Sequence, residues 1–64
     1  AESRADFVHK LSIALKEANE TEYWLDLLTE SGYLGSRHGQ SMMADTEELL
    51  KILTAIIRTT KSRR

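Results

Sequence analysis

At 64 residues, with no cysteine, no proline and a net charge of −1, the chain can form one small domain only. It has no thiol for a disulfide or a thiolate metal site. No apolar run approaches the roughly 20 residues that span a bilayer, and no signal-peptide pattern opens the chain, so a cytoplasmic protein with no membrane attachment is expected.

The glycines Gly32, Gly35 and Gly39 all fall in one eight-residue window, which predicts two long helices around one connection. Ser3 suits the N-cap of the first helix, and Asp6, three residues on, is a weaker variant of the capping box. Nothing interrupts the helix until Ser31, and Gly32 fits the left-handed position that follows a helix C-terminus. The predicted first helix covers about 3–31 and is roughly 42 Å long. The chain begins at Ala1 within this helix start, and a processed or truncated product is expected.

Apolar or small residues recur along this helix at Phe7, Leu11, Ala14, Ala18, Thr21, Leu25 and Leu28, a spacing of four and three that forms a coiled-coil-like seam. Ala14, Ala18 and Thr21 mark where another backbone can approach. A second stripe, Ile13, Trp24 and Leu27 with Tyr23 beside it, lies roughly opposite. Two stripes call for two neighbours, and the second helix can cover only one.

The connection is expected over about 32–40, with Tyr33 and Leu34 folding back onto the end of the bundle. The second helix either is capped at Ser36 and runs through Gly39 or starts near Ser41; its working bounds are about 41–61, with a basic tail at 62–64. Its seam reads Met42, Thr46, Leu49, Leu53, Ile56 and Thr60, flanked by Met43, Leu50 and Ile57, and Met42-Met43 pads the end of the core. Residues 1–36 carry three cations against seven carboxylates, and residues 37–64 carry six against three. This imbalance favours antiparallel packing, although exposed pairs contribute only about 0.2–1 kcal/mol each.

No constellation for catalysis emerges. His9 and His38 sit on different elements without metal-ligand spacing, no carboxylate pair is set for acid–base work, and no serine lies in a nucleophile-elbow context. Neither a metal nor a cofactor is expected, and no small-molecule substrate. Glu22 falls on an apolar face and needs a cation; Arg4, Lys51 and Arg58 are candidates, and a structural ion pair of Glu22 with Arg58 is the working expectation. The tail residues Lys61, Arg63 and Arg64 are the candidate nucleic-acid contact. Arg37 and His38, at the other end of the second helix, lie about 30–40 Å from that tail.

Three stretches resemble the four-helix-bundle proteins of the 23S rRNA intervening-sequence family. They are Glu2 to Leu11 (ESRADFVHKL), Ile13 to Ala18 with Glu20 to Leu25 (IALKEA, ETEYWL), and Glu47 to Thr60 (EELLKILTAIIRTT). The resemblance places the chain at helices three and four of that plan; the family's first two helices, with their Asn-Ile-Ala-Glu-Gly-like motif, have no counterpart here. It implies a bacterial up-down helical bundle, encoded within insertions of 23S rRNA genes, that forms a ring-like homo-oligomer, often a pentamer. It implies no enzymatic activity and leaves the physiological role open. A related accessory protein of diversity-generating retroelements is a basic pentamer that binds nucleic acid and a reverse transcriptase; this chain lacks that strong positive charge.

The resulting expectation is an all-α antiparallel helical hairpin, half of an up-down four-helix bundle completed by oligomerisation or by a missing N-terminal half. Its interface would use Phe7, Leu11, Ala14, Ala18, Trp24, Leu25, Leu28, Leu49, Leu53 and Ile56. Its role would be that of a non-enzymatic, self-associating interaction module, a dimer to a pentamer. The alternative is an accessory subunit that binds RNA or DNA through repeated basic tails.

Overall fold

The structure, a computed structural model, describes residues 3–63. It is an antiparallel hairpin of two helices, α1 (Arg4–Glu30) and α2 (Ser36–Ser62), of 27 residues each. The hairpin measures 47 × 15 × 14 Å, with a radius of gyration of 14.6 Å against about 11 Å for a compact domain of this length.

Local chemistry sets the ends of α1. The Ser3 hydroxyl accepts from the Asp6 amide at 3.1 Å, which satisfies one of the amides left free in the first turn. At the other end Gly32 takes φ +82°, a left-handed conformation that costs a side-chain-bearing residue more than glycine. The Tyr33 amide then donates to the Leu28 carbonyl at 3.0 Å and the Gly32 amide to the Thr29 carbonyl at 3.2 Å, the paired bonds of a Schellman motif. Leu34 donates to the same Leu28 carbonyl and is half-buried, whereas Tyr33 stays exposed. Of the two residues expected to fold back, only Leu34 does.

α2 starts at Ser36, five residues before Ser41, with Gly35 as an N-cap that offers no side-chain acceptor. Gly39 therefore lies inside the helix rather than in the connection. It is buried because Thr29 of α1 packs directly on it: a Cβ at Gly39 would lie 3.1 Å from Thr29 Cγ2 and 3.2 Å from Thr29 Cβ, with Oγ1 closer still. At the open end the Arg4 guanidinium donates to the Arg63 carbonyl. These two anchors set the antiparallel register, with Leu25 level with Met43, Ala18 with Leu50, and Leu11 with Ile57.

The residues sealed or half-sealed between the helices are Val8, Leu11, Leu15, Ala18, Glu22, Leu25 and Thr29 on α1. On α2 they are Gly39, Met43, Thr46, Leu50, Leu53, Ile57 and Thr60. Both sets repeat by threes and fours, as two packed helices require. The expected seams shared Leu11, Ala18 and Leu25 with the first set and Thr46, Leu53 and Thr60 with the second. The other expected members, Phe7, Ala14, Thr21 and Leu28 on α1 and Met42, Leu49 and Ile56 on α2, precede the sealing residues by one position and are exposed. Each helix is thus rotated relative to the expected seam, because adjacent apolar residues offer the choice at Phe7 or Val8, Ala14 or Leu15, Met42 or Met43, Leu49 or Leu50, and Ile56 or Ile57. Among the described residues, only Ala18, Leu25 and Leu53 are buried hydrophobic residues.

Candidate interaction surface

The two flanks of the hairpin differ in chemistry. Immediately after observed seam residues come Ser12, Asn19 and Asp26 on α1 and Gln40, Glu47, Thr54 and Lys61 on α2. These polar residues meet on one side of the hairpin. Asp26, Gln40 and Glu47 line a common groove near the loop, and Ala5, Ser12 and Lys61 line another, with Arg4 and His9, at the open end.

With those flanks together on one side, the opposite flanks share the other side. There lie Phe7, Ala14, Thr21 and Leu28 from α1 and Met42, Leu49 and Ile56 from α2, all exposed. Trp24 and Ile52 extend this apolar surface outward, and Trp24 is 55% exposed and meets the Tyr23 ring edge-on at a centroid separation of 5.3 Å. Ile13 and Leu27 continue it around the back of α1, exposed as the second stripe predicts.

Exposed single apolar residues are ordinary, but a contiguous surface of this extent is not. The accessible area makes the point quantitatively. The hairpin exposes 5167 Å², whereas a folded monomer of 7.3 kDa is expected to expose about 4,200 Å². The excess of about 1,000 Å² is the scale of one protein–protein contact.

The expected interface residues therefore divide in two. Leu11, Ala18, Leu25 and Leu53 lie within the hairpin seam, and Phe7, Ala14, Trp24, Leu28, Leu49 and Ile56 lie outside it. The register keeps Glu22 away from Arg58: Glu22 is half-buried at the level of Thr46, and Arg58 stands level with Lys10, about 18 Å further along the axis. That ion pair does not form within one hairpin, since a side chain cannot bridge three helical turns. Lys61 and Arg63 sit at the open end beside Arg4, a neighbour that only the folded hairpin reveals. Arg64 lies outside the described residues.

Among the described residues, no group of three or more histidines or carboxylates could hold a metal ion, and no helix is long and apolar enough to cross a membrane.

The family model of the 23S rRNA-intervening sequence protein matches residues 1–55. No curated protein matches, and no solved structure does.

Proposed function

We propose that this chain, which belongs to the 23S rRNA-intervening sequence protein family, is a non-enzymatic helical packing module that self-associates through its exposed apolar flank. One observation carries the reading. Seven residues flanking the seam, five of them large and apolar, share one side of a hairpin whose exposed area exceeds that of a compact monomer by about 1,000 Å². Covering them removes water from apolar surface at about 25 cal/mol per Å², a driving force that needs no reacting group. A hairpin with three buried hydrophobic residues among those described gains most of its core from the partner.

Sedimentation velocity across the micromolar range tests this. The expected species is heavier than one 7.3 kDa chain, and the double substitution Leu28→Glu with Leu49→Glu returns it to monomer. A folded monomer throughout that range defeats the reading.

The open end supports a second reading, contact with nucleic-acid phosphates. Arg4 joins Lys61 and Arg63 there, which gives the tail cations a partner from α1. Removing residues 61–64 would then weaken nucleic-acid binding and flatten its dependence on salt. Equal binding by both chains with no salt slope excludes it.

A further inference from the structure

We infer that the polar flank carries a lengthwise docking site for a nucleic-acid duplex, whose phosphates sit on Arg4, Lys16, Lys51, Arg58 and Lys61. This rests on the phosphate contact proposed above for the open end and extends it along the hairpin, with a duplex as the partner. Covering the apolar flank leaves this opposite side open.

Both helices supply the cations. On α1, Lys16 follows Ser12 by four residues and precedes Asn19 by three, which puts it on their side of the helix. On α2, Lys51, Thr54 and Arg58 line one groove, and Lys61 lines the next with Arg4 and His9. All five cations are exposed. The register sets Arg4 and Lys61 at the open end and Arg58 level with Lys10. It brings Lys51 level with residue 17, beside Lys16. The five charges therefore run in two rows over about 20 Å of the axis, the rows about 8–10 Å apart.

These charges are not neutralised within the chain. No carboxylate stands one helical turn from Arg58 or Lys61. Among the described residues, Lys16, Lys51, Arg58 and Lys61 form no ion pair. Towards the loop the same flank changes sign, where Asp26 and Glu47 line a groove with Gln40, and the site ends there. A net charge of −1 thus conceals a flank that is basic over its open half.

The spread of the cations selects the partner. Charges distributed over about 20 Å cannot converge on one small anion, whereas a duplex carries a charge for about every 1.7 Å of its axis and meets them all without a fixed register. Asn19 and Thr54 stand among the cations, and side chains of this kind donate to phosphate and sugar oxygens. The four aromatic residues, Phe7, Tyr23, Trp24 and Tyr33, lie outside the basic segment of the flank, which leaves no platform for stacking the bases of a single strand.

Fluorescence anisotropy of labelled RNA and DNA duplexes of about 20 base pairs, and of a single strand of the same sequence, tests this site with the associated protein. The double substitution Lys51→Gln with Arg58→Gln should lower duplex affinity on the order of fiftyfold at about 0.1 M salt. It should also reduce the slope of log affinity against log salt by about 1.8, the value for two phosphate contacts. Arg37→Gln, the same loss of charge near the loop, should leave both unchanged. Lys51→Arg with Arg58→Lys keeps both charges and should bind as the wild type does, with helicity by circular dichroism the same in every variant.

This pattern with either duplex supports the site, and the duplex bound more tightly identifies the source of the backbone. If the Lys51/Arg58 double substitution leaves binding intact while removal of residues 61–64 weakens it, the lengthwise site is overturned and the open-end contact stands. A single strand bound more tightly than both duplexes, or polyglutamate displacing the duplex at equal charge concentration, overturns the duplex as partner. Binding to no probe, or binding without a salt slope, overturns both readings.

Discussion

Replacing Gly39 by alanine tests how closely the two helices approach at the loop end. Within a helix the substitution should help, because alanine is favoured over glycine by about 1 kcal/mol. Packing opposes it. The new methyl would lie 3.1 Å from Thr29 Cγ2 and 3.2 Å from Thr29 Cβ, with Oγ1 nearer than either. Thr29 cannot simply turn away, since its Cβ is fixed by the α1 backbone and its hydroxyl donates to the Leu25 carbonyl at 2.7 Å. The helices must therefore part, and overpacking of this kind costs about 1–3 kcal/mol. Gly39→Ala is expected to destabilise by about 1 kcal/mol net, given the helix-propensity gain that offsets part of the clash.

Thr29→Ala removes the two atoms in the way. In that background Gly39→Ala should become neutral or stabilising, so the double-mutant cycle should show a coupling of about 1–2 kcal/mol. Urea denaturation followed by circular dichroism at one fixed chain concentration measures all four corners of the cycle. Gly39→Ala raising stability in the Thr29 protein, with no coupling, would refute the close approach and the register anchored on it.

The other two glycines of the cluster should respond in opposite directions. Gly32→Ala places a Cβ on a residue at φ +82° and should cost about 1–2 kcal/mol in the same denaturation assay. Gly35→Asp adds the missing N-cap acceptor to α2 at φ −61° with open space around it, and should stabilise by about 0.5–1 kcal/mol. In the seam, Leu53→Ala should cost about 2–4 kcal/mol, and the neighbouring Thr54→Ala, exposed on the polar flank, should stay within about 0.5 kcal/mol. Equal effects at 53 and 54 would contradict the orientation of α2.

Much of the hairpin is legible in the chain itself. Ser3 and Gly32 mark the two ends of α1 because capping is local chemistry, decided by a hydroxyl near free amides and by a residue that tolerates positive φ. The family resemblance is likewise confirmed over residues 1–55. Gly39 misleads in sequence because an isolated glycine reads as a breaker. Here it sits inside α2, where the lack of a side chain admits Thr29.

What sequence alone determined is therefore two amphipathic helices, their order, and the residues Leu11, Ala18, Leu25, Thr46, Leu53 and Thr60 common to the expected and observed seams. Which neighbours complete the seam was decided only in three dimensions. Val8 competes with Phe7, Leu50 with Leu49 and Ile57 with Ile56 at nearly equal hydrophobicity, and Leu15 competes with the smaller Ala14. The short connection and the Thr29–Gly39 contact settle the competition, because they fix how α2 is set against α1. That choice turns Phe7, Leu28, Met42, Leu49 and Ile56 outward onto one side and creates the surface from which an interaction function is inferred.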